Sequence, residues 1–230
     1  MSVRLLVILL WLCVFSNIGF AQEKNKYGVR VMNDIEDYRK KMKADEKYKL
    51  VNLRNIDGIQ FDIRYATTNN FVEQKVYPSA DAFARKAVAE ALSQIQDTLE
   101  SLGLGLKIFD AYRPYEATVK FYESVEDTTY VASPFSGSRH NRGCAVDLTL
   151  VDLKSGKPLE MPTEYDDFTK KAHPNYMDLS QQVLANRKLL IDVMQAHGFK
   201  VYPYEWWHFD YVGWEENPLM NLSFEDLRNQ

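Results

Sequence analysis

The spacing of apolar residues predicts two long helices. A first stripe recurs every three or four positions, as on the buried face of a helix: Ala84, Ala87, Val88, Ala91, Leu92, Ile95, Leu99 and Leu102. Pro78 and Ser79 are expected to open this helix, and Gly103 to end it. A second helix is predicted from Ser180 to His197, before Gly198, with these residues facing inward: Val183, Leu184, Leu190, Ile191 and Met194.

Two shorter helices are predicted from weaker patterns. Residues 22–48 form a polar lead-in rich in Lys, Glu and Asp, with helical character between Asp34 and Lys43. Pro114 fits the first position of a helix covering Tyr115 to Ser124, where its missing N–H costs nothing.

Alternating apolar and polar residues predict strands, because successive side chains of a strand face opposite sides. The predicted strands are one or two within Leu50–Tyr65 around a turn at Asp57-Gly58, then Leu106–Phe109, Ala145–Val151, and a hairpin of Phe199–Tyr202 and Trp206–Tyr211 about Pro203. In the segment from Ala145, residues 146, 148 and 150 share one face and residues 145, 147 and 149 the other. The fold class is α+β, a small, mostly antiparallel sheet flanked by helices.

Two loops separate these elements. Residues 133–138 are rich in Ser, Pro and Gly. Residues 158–178 form a loop of a length that is unusual within a compact domain and typical of functional segments.

The N-terminus has the pattern of a secretory signal peptide. Arg4 precedes the apolar run Leu5–Phe15, and the small residues Gly19 and Ala21 suit cleavage after Ala21. An uncleaved membrane anchor is the alternative, but the run is short for a bilayer span. We therefore expect a secreted protein of the bacterial periplasm, with no stable membrane association after cleavage.

Composition narrows the range of partners and of covalent chemistry. The 230 residues include 28 Lys and Arg against 32 Asp and Glu, a net charge of −4 without a basic block, so a nucleic-acid partner is not expected. Signal cleavage would remove Cys13 and leave Cys144, which alone cannot form an internal disulfide. Cys144 could in principle be a nucleophile or a metal ligand, but we expect a small buried residue.

The four histidines fall into two groups. His197 lies at a predicted helix C-terminus, where a hydrogen-bond donor suits the last carbonyls. His173 precedes Pro174 in the long loop. Both are expected to be structural. His140 and His208 are therefore the histidines that are candidates for a functional site.

His140, Asp147 and His208 are candidate metal ligands. A catalytic zinc requires three nitrogen or oxygen ligands and an open position for water. Gly143 allows the backbone to turn between the first two of these residues. Asp147 lies among apolar neighbours, and a buried carboxylate is costly unless it is paired or bound to a metal.

Glu205 is the candidate general base, because it lies three residues before His208. A regular strand would place residues 205 and 208 on opposite faces, so Glu205 is expected at a bend or at the strand entrance. Trp206 and Trp207 are expected to shield the site and to make the carboxylate more basic by excluding water. Each residue alone is more often structural, but the joint pattern is specific.

With these motifs, the sequence resembles the D-alanyl-D-alanine dipeptidases, the VanX-like branch of the M15 zinc peptidases. The matching elements, in chain order over about residues 50–215, are Phe61–Phe71, Asp110–Pro114, Ser138–Asp147, Met161–Asp166 and Glu205–His208. In Met161–Asp166, Pro162 and Tyr165 depart from the branch pattern Met-Gly-x-x-Phe-Asp.

The resemblance implies a hedgehog/DD-peptidase-like fold with one catalytic Zn²⁺ ion held by His140, Asp147 and His208. Glu205 would be the base, and Arg113 would stabilise the oxyanion of the tetrahedral intermediate. Residues 49–230 would form the zinc dipeptidase domain, after the signal peptide (1–21) and the polar lead-in (22–48).

The implied substrate is the zwitterionic dipeptide D-Ala-D-Ala, cleaved to two D-alanines. Asp166, with Tyr65, would receive its ammonium group, and Ser138 would help to hold its carboxylate; Asp167 lies beside Asp166 and could be mistaken for it.

Two alternatives stay open. One is a murein D,D-carboxypeptidase or endopeptidase with the same zinc site and an open groove on the ammonium side. The other is a non-catalytic zinc-binding relative, which the presence of Glu205 and Arg113 disfavours. Secretion favours cell-wall peptide turnover over glycopeptide resistance, because a secreted enzyme would not meet the cytoplasmic precursor pool.

Overall fold

The computed structural model describes residues 24–126, 128 and 130–230. The predicted signal peptide, with Cys13, lies outside these residues. Within the described part of the chain, no helix has the length and apolar character needed to cross a bilayer.

A five-stranded sheet forms the centre of the molecule, and a two-stranded sheet lies beside it. The strands are β1 Leu50–Asn52, β2 Gln60–Phe61, β3 Phe83–Arg85, β4 Leu104–Asp110, β5 Ala145–Asp152, β6 Phe199–Tyr202 and β7 Glu205–Tyr211. The order in the larger sheet is β2-β4-β5-β7-β6, and β1 pairs with β3. Only β2 and β4 pair in parallel among these strands; every other pair is antiparallel.

Helices cover this sheet and complete the predicted α+β fold. The helices are α1 Ile35–Ala44, α2 Lys86–Glu100, α3 Tyr115–Ser124, α4 Gln181–Ala196 and α5 Phe224–Arg228. α2 packs against β4, and α4 packs against β6. The inner face of α2 buries Val88, Leu92, Ile95 and Leu99 completely. Burial of such aliphatic side chains contributes about 1.5–3 kcal/mol each, which fixes these helices on the sheet.

The register of the central strands aligns three polar residues. Asp147 of β5 lies opposite His208 of β7 on one side and opposite Asp110 of β4 on the other. A register shift between Ile108 and Asp110 precedes this last pair. Residues directly opposite each other project to the same face of a sheet, so this register brings a carboxylate and an imidazole together.

The predicted start of the first long helix is wrong. Residues 78–82 are not helical, Phe83–Arg85 form β3, and α2 begins at Lys86. The side chain of Arg85 is buried, and its Nε donates to the carbonyl of Arg142 at 2.7 Å. This long-range contact and the pairing with β1 override the local helical spacing. Leu102, predicted on the buried stripe, lies beyond the helix end and is 59% exposed.

The other predicted elements are confirmed within one or two residues. Ser180 caps α4 by accepting a hydrogen bond from the backbone N–H of Val183 at 3.2 Å, and His197 ends the same helix with Nδ1 2.8 Å from the carbonyl of Val193. Residues 158–178 form a loop that contains one short 3₁₀ turn. His173 lies in this loop with its ring against Tyr204.

Cys144 is buried and free, as expected. Burial raises the pKa of its thiol to about 11. A thiol that stays protonated at neutral pH is a poor nucleophile and a poor metal ligand, so Cys144 is structural.

Candidate metal centre

His140, Asp147 and His208 converge in the interior. Their ligand atoms all lie within 4.8 Å of one another. His140 Nε2 is 3.2 Å from His208 Nδ1, and Asp147 Oδ1 lies 3.3 Å from the first and 3.0 Å from the second. All three residues are at most 8% exposed. The structure therefore brings the three predicted ligands together.

The backbone between His140 and β5 explains how two of these residues meet. His140 begins a short 3₁₀ helix, His140–Arg142, and Gly143 ends it in the left-handed region with φ of +69°. A Cβ at position 143 would come within 2.5 Å of the Leu50 side chain. Only glycine suits both the conformation and the space, and its turn leads the chain directly into Asp147's strand.

The outer nitrogens of the two imidazoles have backbone or carboxylate partners. His140 Nδ1 lies 2.7 Å from the carbonyl oxygen of Ala111, and His208 Nε2 lies 2.9 Å from Asp210 Oδ1. Both partners are hydrogen-bond acceptors, so these outer nitrogens donate, and the inner nitrogens are the ones available to a metal ion. Such outer partners are typical of metal-ligating histidines.

Asp147 supplies the test of whether a metal fits. Its Oδ1 is buried and accepts no hydrogen bond from any described residue, although two imidazole nitrogens lie within 3.3 Å. Three electron-rich atoms at this separation repel one another unless a positive charge lies between them. The donor set therefore fits a metal cation.

The charges around the centre lead to the same conclusion. Burial opposes ionisation of Asp147, yet the neighbouring histidines hold its pKa well below its usual range. Burial also lowers the pKa of His208, but Asp147 and Asp210 outweigh burial and raise that pKa to about 10. The carboxylates thus favour a positive charge at the centre, which a bound cation would supply.

Glu205 is the first residue of β7, as predicted from strand periodicity. The pairing of β6 with β7 is irregular between Val201 and Tyr202, and this irregularity turns the Glu205 side chain toward His208. Glu205 Oε2 lies 3.7 Å from His208 Nδ1. Burial raises the pKa of Glu205 to about 7, and the charge of His208 opposes the shift. A carboxylate with this pKa accepts and releases protons near neutrality.

The two tryptophans after Glu205 differ in position. Trp207 lines the cavity that contains the metal centre and shields it, as predicted. Trp206 faces the other way, and its indole Nε1 donates to Thr163 Oγ1 at 3.0 Å. The prediction that both rings shield the site is therefore wrong for Trp206, which does not line this cavity.

Arg113 is held rigidly beside the centre. Its Nε and Nη2 both donate to Asp110 Oδ2, at 3.0 and 2.8 Å, and Nη2 lies 3.8 Å from Asp147 Oδ2. Asp110 also accepts from the hydroxyl of Tyr77 at 2.9 Å. Sequence reasoning gave Asp110 no role, although an Asp at the end of an apolar strand, three residues before Arg113, was an available signal.

The remaining predicted residues line the same cavity: Tyr65, Ser138 and Asp166. The Tyr65 hydroxyl donates to Asp166 Oδ1 at 3.2 Å, whereas Asp166 Oδ2 is buried and has no hydrogen-bond partner among the described residues. Burial, and then the charge of Asp147, raise the pKa of Asp166 well above its usual range. The buried Ser138 Oγ accepts from the backbone N–H of His140 at 3.2 Å.

Two further residues around the centre were missed by sequence reasoning. Tyr165 donates from its hydroxyl to Asp147 Oδ2 at 2.9 Å. Asp210 orients His208, as described, and its Oδ2 lies 3.6 Å from Arg139 Nε. Asp210 lies two residues after His208 on the same predicted strand, and this spacing was an available signal. For Tyr165, the available signal was its departure from the branch pattern.

Aromatic side chains form most of the apolar cavity wall: Phe71, Phe121, Tyr130, Phe168, Tyr202 and Trp207. They limit the access of water to the ionised groups, which strengthens electrostatic interactions inside the cavity.

The comparisons with known proteins agree with this geometry. A family model described as peptidase M15, D-ala-D-ala dipeptidase, matches residues 46–225. The D-alanyl-D-alanine dipeptidase of Escherichia coli K12 is 32% identical over 166 residues, covering 72% of this chain and 86% of the relative. That of Streptomyces coelicolor is 33% identical over 177 residues, covering 67% and 86%, and that of Enterococcus faecalis V583 is 30% identical over 177 residues, covering 68% and 88%.

Among solved structures, the LdcB LD-carboxypeptidase is similar with a TM-score of 0.42 and 21% identity, over 79% of this chain and 77% of that one. The family match, over more than half of the chain, confirms the resemblance found in the sequence. The chain belongs to the M15 peptidase family of D-Ala-D-Ala dipeptidases and is a metallopeptidase.

Proposed function

We propose that this chain is a zinc-dependent dipeptidase that hydrolyses D-Ala-D-Ala to two D-alanines during cell-wall peptide turnover. One observation carries the proposal: the buried Oδ2 of Asp166, which has no hydrogen-bond partner among the described residues, lies in the same cavity as the metal centre. That oxygen offers a partner for the N-terminal ammonium group of a dipeptide, whose positive charge would favour the ionised carboxylate against the effect of burial.

Zinc is the metal that this donor set suits best. Two imidazole nitrogens and one carboxylate oxygen are typical of catalytic zinc, whereas magnesium and calcium prefer oxygen ligands alone. His140, Asp147 and His208 would hold the ion. A zinc ion here supplies Lewis acidity, which polarises the peptide carbonyl and acidifies the attacking water.

The protein's own groups account for proton transfer and charge stabilisation. Glu205 removes a proton from the attacking water and delivers it to the leaving nitrogen, for which its raised pKa is suited. Arg113 donates hydrogen bonds to the oxyanion that develops on the scissile carbonyl. Because Asp110 fixes the guanidinium in advance, no reorganisation is needed during the reaction.

Binding at both ends of the substrate would select a dipeptide. Asp166, assisted by Tyr65, binds the ammonium group, and Ser138 hydrogen-bonds to the carboxylate. In a longer peptide, an uncharged amide N–H replaces the ammonium group that Asp166 would bind. The loss of this ion pair disfavours a D,D-carboxypeptidase or endopeptidase. The presence of Glu205 and Arg113 in the cavity disfavours a non-catalytic relative.

The proposed periplasmic location of the protein is based on the signal-peptide pattern of residues 1–21. Cleavage after Ala21 would release the chain into the periplasm, where dipeptides arise from the wall. Fractionation of cells with a periplasmic marker tests this, and a cytoplasmic pool of the mature chain would contradict it.

A comparison of substrates tests the proposed function. The zinc-loaded chain from residue 22 onward is expected to release D-alanine from D-Ala-D-Ala, and not from L-Ala-L-Ala or a muramyl pentapeptide ending in D-Ala-D-Ala. Free D-alanine is measured with a D-amino-acid oxidase assay, and zinc by elemental analysis. Zinc-bound protein that leaves D-Ala-D-Ala intact refutes the proposal, and release from the pentapeptide alone identifies a carboxypeptidase.

Replacement of Asp166 by Asn is expected to raise KM for D-Ala-D-Ala about 10- to 100-fold with little change in kcat. The reason is that a hydrogen bond to a charged group contributes about 1.5–3 kcal/mol, and each 1.4 kcal/mol is about tenfold in affinity. Steady-state kinetics measure the change.

The neighbouring carboxylate provides the matched control. Asp167 accepts a hydrogen bond from the backbone N–H of Thr169 at 2.9 Å, as a loop-stabilising residue does. Asp167→Asn should keep the KM of the wild type. An equal rise in KM for both variants would remove Asp166 from ammonium binding.

A further inference from the structure

The hydroxyl of Tyr165 lies between the metal centre and the proposed ammonium site. It donates to Asp147 Oδ2 at 2.9 Å and lies 3.1 Å from the hydroxyl of Tyr65. Tyr65 in turn donates to Asp166 Oδ1 at 3.2 Å. Two tyrosine hydroxyls thus separate the carboxylate of the metal centre from the carboxylate that faces the substrate.

The two oxygens of Asp147 have different surroundings. Oδ1 faces the two imidazoles, at 3.0 and 3.3 Å. Oδ2 faces Tyr165 and, at 3.8 Å, Arg113 Nη2, a separation too long for a hydrogen bond. Within the described part of the chain, the Tyr165 hydroxyl is therefore the hydrogen-bond donor that fixes the rotation of the Asp147 carboxylate.

Packing fixes the Tyr165 ring independently of this hydrogen bond. The side chain is 6% exposed, its ring stacks on Phe109 with centroids 4.7 Å apart, and Trp207 meets it edge-on at 5.5 Å. A phenylalanine ring would keep these contacts and lose only the hydroxyl.

We propose that Tyr165 is a positioning residue that orients the Asp147 carboxylate for metal binding. The inference rests on the proposed function in taking Asp147 as a zinc ligand. A hydrogen bond at Oδ2 restricts rotation of the carboxylate and keeps Oδ1 directed at the ion. The carboxylate is therefore already oriented for binding in the metal-free protein. Hydrogen-bond partners of metal ligands typically contribute 10- to 100-fold to metal affinity or activity.

The test is zinc affinity, which requires no turnover. Tyr165→Phe is expected to raise the zinc Kd about tenfold, measured on metal-free protein by competition with a chromogenic chelator. Saturating zinc should restore kcat to within about threefold of the wild type, which a general loss of structure would not allow. Thermal unfolding of the metal-free variant checks that the fold is retained.

Tyr65→Phe is the matched control, because Tyr65 lies in the same cavity and donates to Asp166 instead of Asp147. This variant should keep the zinc Kd within about twofold and raise KM for D-Ala-D-Ala. Wild-type zinc affinity in Tyr165→Phe overturns the inference, and so does an equal loss of zinc affinity in both variants.

The proposed function and this inference fail in different ways. A wild-type protein that binds zinc but does not cleave D-Ala-D-Ala refutes the function and leaves the Tyr165 comparison valid. A wild-type protein that binds no zinc overturns both.

Discussion

Replacement of Glu205 by Gln is expected to lower kcat for D-Ala-D-Ala by about 10²- to 10⁴-fold, the usual contribution of a general base. Glutamine has nearly the same shape and fills the same buried position, but its amide cannot accept the proton of the attacking water. Zinc should stay bound at a stoichiometry close to one, because the three proposed ligands are unchanged.

The environment of Glu205 also gives a direction for the pH dependence. Burial raises its pKa to about 7, and only the ionised form accepts a proton. The wild-type kcat/KM should therefore fall as the pH drops through the pKa of this group, measured under zinc saturation. Glu90 is exposed on α2 and does not line the cavity, so Glu90→Gln serves as the matched control. Retained turnover in Glu205→Gln would remove Glu205 from the base role.

Replacement of Arg113 by Lys is expected to lower kcat by about 10²- to 10³-fold, as removal of an oxyanion donor does elsewhere. Lysine keeps the positive charge but loses the planar fork, which donates twice to Asp110 and presents its remaining N–H groups to the cavity. The change is expected mainly in kcat, because the three proposed zinc ligands are unchanged and lysine keeps a positive charge beside Asp147.

The choice of lysine protects the fold. A neutral residue at position 113 would leave Asp110 buried without a cation, which costs about 3–5 kcal/mol of stability. Arg30 is exposed and does not line the cavity, so Arg30→Lys serves as the matched control for an Arg-to-Lys replacement. Single-turnover kinetics isolate the chemical step, and a wild-type rate in Arg113→Lys would contradict the oxyanion role.

The sequence allowed the metal ligands to be predicted because their signals are local. The period of two in Ala145–Val151 placed Asp147 among apolar neighbours, where a lone carboxylate requires a partner. The same period showed that Glu205 and His208 could meet only at an irregularity, and β7 begins at Glu205 beside a register shift. Joint patterns of this kind are specific even though each residue alone is not.

The errors and omissions have a shared physical cause. The helix start at Pro78-Ser79 failed because Phe83–Arg85 pair with β1, about 33 positions earlier in the chain. Tyr165 was not assigned a role because its partner, Asp147, is set by a side-chain distance between a loop and the sheet. Such distances leave no periodic trace in the sequence.

The sequence by itself determined the class of chemistry, through the types and order of His140, Asp147, Glu205 and His208, and it determined the α+β fold through hydrophobic periodicity. The tertiary structure alone decided which oxygens of Asp147 and Asp166 are hydrogen-bonded to described residues. It also decided which nitrogen of each imidazole faces an acceptor outside the metal centre. Periodicity specifies the face on which a side chain lies, whereas hydrogen bonds act over about 3 Å and depend on the final packing of segments distant in the chain.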